Sequence, residues 1–260
     1  MNNMRPSLAQ LYSSHSGNVS DKWDIYLHIY NRILTRFLEK EVNLLEIGVQ
    51  NGGSLEIWEK FFQNANCILG CDVNPACEMV VYDSKKISII VGDANSDATL
   101  SEIDTKCSTF DIIIDDGSHT SADIITSFLK YFPRLNYDGV YIVEDLHCSY
   151  WTQFDGGLAY QKSSMNFLKR LSDVINHEHW GNTLSRTQYL EDCSLTPELL
   201  NEEVLTDIHS VEFVNSMCII NKRPPAHNVL GARHVVGARA LVVDNKSFDA
   251  TYSTPPPQKP

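Results

Sequence analysis

Phe110-Asp-Ile-Ile-Ile-Asp-Asp-Gly-Ser-His119 and Gly139-Val-Tyr-Ile-Val-Glu-Asp145 decide how this chain is read. Each is a short run of β-branched and aromatic residues that closes on acids. Runs that are apolar at nearly every position suit strands buried on both faces, as in a parallel sheet. Working outward, three upstream runs share the pattern: Val42-Asn-Leu-Leu-Glu-Ile-Gly48, Cys67-Ile-Leu-Gly-Cys-Asp72 and Ile87-Ser-Ile-Ile-Val91. Helices are expected at about 54–62, 122–132 and 163–175. Short strands alternating with helices predict an α/β fold whose sheet is covered on both faces.

Upstream, Trp23, Tyr26, Leu27, Tyr30, Ile33, Leu34, Phe37 and Leu38 recur at three- and four-residue steps, one helical face, with Ser20 and Asp21 as expected caps. The polar segment before it carries His15, in a loop able to fold over a site. Downstream, Ile208–Val214 and Met217–Asn221 flank Asn215-Ser216, a hairpin signal. An extra strand is expected at Arg239–Val243, and the PPPQKP end is expected to be disordered or extended. The chain therefore divides into a lead-in and helix covering the site at 1–40, a catalytic α/β domain at 41–223 and a tail at 224–260.

The 260 residues are 43% hydrophobic and 21% charged, enough for one large domain with appendages. With 21 Lys+Arg against 33 Asp+Glu, the net charge is −12, which disfavours a nucleic-acid or anionic-membrane partner. The seven cysteines have no CxxC spacing, so neither a zinc ribbon nor a disulfide framework follows. No apolar run reaches the length of about 18 residues that a membrane span needs, and MNNMRPSLAQ does not read as a secretory leader. A reduced, cytoplasmic location is expected. The apolar side of the first long helix and the VVDNKSF tail suit either a homo-oligomeric contact or packing on their own domain, and a homo-oligomer is the expectation.

In open α/β sheets, ligands bind at the carboxyl ends of the strands. Glu46, Asp72, Asp93, Asp115, Asp116, Glu144 and Asp145 all fall there. Asp72 is placed to accept from a ribose diol, and Asp93 to lie beside an adenine. Gly48, Gly52 and Gly53 let a ligand approach the backbone, though a plain strand-to-helix turn would read the same way. The absence of GxGxxG counts against a nicotinamide-dependent oxidoreductase. If the fourth and fifth strands are neighbours, Asp116, Glu144 and Asp145 crowd together, and either raised pKa values or a cation must relieve their repulsion. Oxygen-only ligands suit Mg²⁺; the plainer reading is that some of these acids point outward or cap helices. His119, three residues beyond Asp116, is a natural general base. His147 on its own reads as an ordinary histidine.

LLEIGVQNGG, GCDVN, GDAN, FDIIIDDGSH and GVYIVEDLHCSYW together resemble class I S-adenosylmethionine-dependent methyltransferases. DDGSH with VEDLHxSYW is similar to the metal-dependent O-methyltransferases of macrolide sugars, the mycinamicin and macrocin type. The likeness runs from about Leu11 to Lys222. It implies a Rossmann-like seven-stranded sheet, mostly parallel with an antiparallel C-terminal strand. It also implies cofactor contacts from Glu46, Gly48, Gly52, Ser54, Asp72, Asp93, Ala94 and Asp115, and Mg²⁺ on Asp116, Glu144 and Asp145. His119 would be the base, and His147, Tyr150 and Trp151 would face the acceptor. The function implied is methylation of a hydroxyl on a sugar or glycosylated natural product, a step of antibiotic biosynthesis. A non-sugar hydroxyl or amine as acceptor, or a non-catalytic cofactor-binding subunit, are the alternatives. The macrolide-sugar enzyme of closest motif carries an additional N-terminal domain where this chain has a short lead-in.

Overall fold

The computed structural model describes residues 5–242. Seven strands form one sheet in the order β3-β2-β1-β4-β5-β7-β6. They are β1 (Asn43–Ile47), β2 (Cys67–Asp72), β3 (Ile87–Val91), β4 (Phe110–Asp115), β5 (Leu135–Val143), β6 (Ile208–Val214) and β7 (Met217–Lys222). The first five pair in parallel, and β7 runs antiparallel between β5 and β6. The strand order doubles back at β1, so β1 and β4 leave in opposite directions and open a crevice between them.

The continuously apolar strands are buried on both faces. Leu45, Ile113 and Tyr141 face one core, while their neighbours Leu44, Ile112 and Ile142 face the other. On the second face lie α1 (Leu8–Ser13), α2 (Asp24–Leu34) and α3 (Gly53–Phe61). The first is covered by α4 (Asp97–Lys106), α5 (Ser121–Tyr131) and α6 (Ser164–Ile175). Two short helices, α7 (Arg186–Leu190) and α8 (Glu202–Leu205), precede the terminal hairpin.

Several expectations need correction. Neither Ser20 nor Asp21 caps α2, which begins one turn later behind Trp23 without a side-chain cap; both line the cavity described below. The polar opening segment contains a helix, α1, closed by a capping box between Ser7 and Gln10. No strand forms at 239–242, which is exposed and makes no ladder; Val243 and the PPPQKP end lie outside the described residues. β5 ends at Val143, so Glu144 and Asp145 occupy the turn beyond it, where side chains are free of the pleat.

Candidate active site

Residues just past the parallel strand ends enclose a cavity of about 540 Å³. β1 runs into the turn Gly48–Gly52, in which Gly48 (φ +91°) and Gly52 (φ +82°) take the left-handed conformation. Glycine is required at position 48 for space as well, since a Cβ there would lie 2.0 Å from the Asp116 carbonyl oxygen. Asp72 fastens this turn: one carboxylate oxygen accepts the N–H groups of Val49 and Gln50 at 2.8 and 2.9 Å, and the other accepts that of Asn74 at 2.8 Å. It therefore lines the cavity and holds its floor at once. Asp93 accepts the Asn95 N–H at 2.9 Å, and the Ala94 carbonyl accepts the Tyr131 hydroxyl at 2.6 Å.

Glu46 is 1% exposed. Its Oε2 accepts the Ser54 hydroxyl at 2.8 Å and the Trp58 indole N–H at 3.0 Å. Asp115, also buried, accepts the Tyr141 hydroxyl at 3.2 Å, and burial pushes its carboxyl up to about 7. Glu46, Gly48, Ser54, Asp72, Asp93, Ala94 and Asp115 all lie on the cavity wall. Gly52 does not; it faces Tyr82, whose hydroxyl donates to its carbonyl at 2.8 Å.

Asp116 and Asp145 line the other end of the cavity, whereas Glu144 is not on its wall and sits in a different environment. Glu144 is buried: its Oε1 accepts the Tyr30 hydroxyl and the Lys22 ammonium, the latter at 2.8 Å. Lys22 also bonds Asp116 Oδ2 and lies 3.5 Å from Glu46 Oε1, with its side chain only 3% exposed. Burial works against this ammonium, but the carboxylates of Glu144, Asp116 and Glu46 outweigh it and hold its pKa well above the ordinary lysine value. Burial likewise raises Glu46 and Glu144, and Lys22 opposes the rise in both.

The outward-facing donors are different. Asp116, His119 and Asp145 offer atoms that all lie within 4.8 Å of one another. His119 Nε2 stands 4.0 Å from Asp116 Oδ1 and 3.9 Å from Asp145 Oδ2. Both His119 (φ +59°) and Asp145 (φ +53°) are held in the left-handed region, strain that the surrounding contacts must offset. For Asp145 those contacts are visible: Oδ1 accepts the Trp23 indole N–H at 3.1 Å and the Tyr26 hydroxyl at 2.9 Å, and its N–H donates to Tyr26 at 3.1 Å. The two partly exposed carboxylates, Asp116 and Asp145, suit a hard divalent cation such as Mg²⁺ that keeps open positions for water, with the His119 imidazole beside them free to act on a proton.

An aromatic loop borders this end. His147 packs edge-on against Trp151 with ring centroids 5.0 Å apart and against Trp23 at 6.1 Å, and its Nδ1 meets the Ser216 hydroxyl at 2.5 Å. Phe154 packs against His119 at 6.4 Å, and Tyr150 and Trp151 are largely exposed. His147, Tyr150 and Trp151 stand outside the cavity wall, beyond Asp145. His15 itself is held away, 2.8 Å from the Asn18 carbonyl and 3.3 Å from Glu56, while the rest of its loop, from Val19 to Lys22, lines the cavity.

Sequence reasoning missed Lys22, Trp23, Tyr26 and Tyr30 as polar contributors to this end. A partial signal existed: Tyr26 and Tyr30 stand one turn apart on α2, and Lys22 comes just before that helix begins.

No family model matches the chain. It is 36% identical over 193 residues to the 8-demethyl-8-alpha-L-rhamnosyl tetracenomycin-C 2'-O-methyltransferase of Streptomyces olivaceus, a match covering 70% of this chain and 49% of that protein. It is 36% identical over 159 residues to the mycinamicin VI 2''-O-methyltransferase of Micromonospora griseorubida, covering 57% and 39%. Among solved structures, the MycE methyltransferase of the mycinamycin pathway, in complex with Mg and SAH, superposes with a TM-score of 0.70 at 27% identity, over 85% of this chain and 56% of that one. The same enzyme with Mg, SAH and mycinamycin VI gives a TM-score of 0.67 at 28% identity, over 89% and 58%. The chain spans about half the length of the curated relatives it matches. Over 70% of its length in sequence, and in fold, this chain is similar to these O-methyltransferases.

Proposed function

We propose that this chain is an S-adenosylmethionine- and Mg²⁺-dependent O-methyltransferase acting on a hydroxyl of a sugar or glycosylated natural product. The observation that carries the reading is the outward-facing set of Asp116, His119 and Asp145 at one end of a cavity whose other end is Asp93 and Ala94. The relatives named as O-methyltransferases of rhamnosyl tetracenomycin-C and of mycinamicin VI, and the Mg and SAH in the MycE complex, support it.

When bound, the cofactor supplies a sulfonium methyl group and the divalent cation lowers the pKa of a coordinated hydroxyl. The chain's own groups do the rest. Glu46, Gly48, Ser54, Asp72, Asp93, Ala94 and Asp115 line the cofactor's course, with Gly52 shaping the turn behind it. Asp116, Glu144 and Asp145 would hold the cation. The His119 imidazole takes the acceptor's proton as the new O–CH₃ bond forms and the S–CH₃ bond breaks, its electron pair returning to sulfur. Alignment of oxygen, carbon and sulfur supplies much of the rate. His147, Tyr150 and Trp151 border the acceptor, aromatic faces being suited to the apolar face of a sugar. The lead-in (1–40) and the α/β domain (41–223) act as one site, and none of the described residues of the tail, 224–242, lines the cavity. A cytoplasmic homo-oligomer completes the reading.

The test is transfer of a labelled methyl group from adenosylmethionine to rhamnosylated and deoxysugar-bearing polyketides, with and without EDTA. Mg²⁺-dependent labelling of a sugar hydroxyl is expected. Full activity after rigorous chelation overturns the metal assignment, and labelling confined to phenols or amines overturns the acceptor class.

A further inference from the structure

Lys22 has no part in the functional reading above, yet it is the most thoroughly enclosed cation near the site. Its ammonium offers three N–H donors and meets three carboxylates, Glu46, Asp116 and Glu144. Two of these, Asp116 and Glu144, are the residues assigned to the divalent cation. With Asp145 the group carries four carboxylates around one small volume, and among the described residues Lys22 is the only lysine or arginine paired with any of them. The other titratable groups facing it are the phenols of Tyr30, bonded to Glu144, and Tyr12, which accepts the Ser20 hydroxyl at 3.2 Å. The position is also anchored. Gly53 donates its N–H to the Val19 carbonyl at 3.2 Å, Asn18 donates to Glu56 at 3.1 Å, and α2 follows directly, so the backbone bearing Lys22 is pinned from both sides.

We propose that Lys22 is the built-in counter-ion of the acid cluster and competes with the divalent cation for Asp116 and Glu144, thereby setting the affinity of the metal site. The inference rests on the metal-dependent reading of that site. A cation entering beside Asp116 meets a carboxylate whose Oδ2 is already committed to an ammonium, so its binding free energy is reduced by the repulsion of one positive charge a few ångströms away. Affinity at oxygen sites follows the net charge of the ligand set, and Lys22 lowers that charge by one. Lys22 is a positioning residue in this scheme: it touches the carboxylates, not the reacting atoms.

The test uses Mn²⁺ as the probe, titrated by electron paramagnetic resonance against the wild-type chain and Lys22→Met, which keeps the side-chain length without the charge. The expected result is Mn²⁺ binding at least about tenfold tighter in the variant. Thermal unfolding supplies a second readout. Without metal, Lys22→Met should melt well below the wild type, because a buried ion pair has lost one partner, and Mn²⁺ should raise its midpoint by more than it raises the wild type's. A variant that folds only with Mn²⁺ present supports the proposal equally. Mn²⁺ binding that is unchanged or weaker in Lys22→Met overturns it while leaving the metal-dependent reading intact. Absence of Mn²⁺ binding in both chains overturns that reading and the proposal with it.

Discussion

At the β1–β3 end of the cavity, each acid accepts its hydrogen bonds from groups close to it in the chain or on the next turn, although Glu46 also lies 3.5 Å from Lys22. Asp72 is fastened by Val49, Gln50 and Asn74, Asp93 by Asn95, and Glu46 by Ser54 and Trp58. At the β4–β5 end the partners come from far away: Lys22 reaches Asp116 and Glu144, Tyr30 reaches Glu144, and Trp23 and Tyr26 reach Asp145. The first end is complete once the sheet and its turns form. The second is complete only when the lead-in docks across the strand ends. One cavity thus joins a half that folds with its own strands to a half assembled from two separate parts of the chain.

If the halves are separable in this sense, a change in the acid half should spare cofactor binding. His119→Ala is the sharpest case. Turnover should fall by about 10²–10⁴, the usual worth of a positioned general base. Adenosylhomocysteine affinity, measured by titration calorimetry, should stay within about threefold. Loss of cofactor binding along with activity would show that the two ends act as one and would remove His119 from the base role.

Gly48 is where the halves touch, so a change there should damage both. An alanine at 48 places a Cβ 2.0 Å from the Asp116 carbonyl in a backbone held at φ +91°. Conformational strain and the clash together should cost about 3 kcal/mol, read from urea unfolding. Cofactor and metal affinities should fall together. A stable variant that loses only one of them would mean the contact between the two turns is incidental.

Tyr26→Phe removes one hydroxyl from the lead-in's grip on Asp145. That hydroxyl accepts the Asp145 N–H and lies 2.9 Å from Asp145 Oδ1 and 3.0 Å from the Ser216 carbonyl. Its loss should cost about 1–2 kcal/mol of stability and roughly tenfold in turnover as the strained Asp145 relaxes. Cofactor affinity should not change. A variant of wild-type turnover would show that β5 and its turn hold Asp145 without help from α2.

The same contrast explains what the sequence disclosed. The strand ends were legible because an apolar run that stops at an acid is a local pattern, and β2, β3 and β4 begin where that pattern begins. Seven strands and the hairpin joining the last two were legible as local patterns, whereas their union in one mostly parallel sheet with an antiparallel C-terminal strand followed from the family likeness and their order only from the structure. α4 was missed because only Thr99 and Ile103 are buried along Asp97–Lys106, leaving a stripe too thin to register. The start of β5 was missed because Asn136-Tyr-Asp-Gly139 reads as a turn. Asp116, Glu144 and Asp145 were found as a group, but their division into an inner pair on Lys22 and an outer pair beside His119 depends on contacts spanning some hundred residues. No spacing rule encodes such contacts. Tyr26 and Tyr30 were read only as members of one apolar helical face; both are buried, and their hydroxyls bond Asp145 and Glu144.

The smallest expected effect lies in the locally built half, at Asp93. Asparagine there keeps an oxygen able to accept the Asn95 N–H, so the turn survives and stability should stay within about 0.5 kcal/mol of wild type. What changes is the second carboxylate oxygen and the charge, which the functional reading assigns to the adenine edge. An uncharged amide still accepts one hydrogen bond but forfeits the charge-assisted part, roughly half its strength. Asp93→Asn should therefore weaken adenosylhomocysteine only severalfold and leave Mn²⁺ affinity untouched, because the acid cluster is at the opposite end of the cavity. A drop in metal affinity would mean that the two ends communicate through the sheet, and the division between a self-contained half and an assembled half would fail.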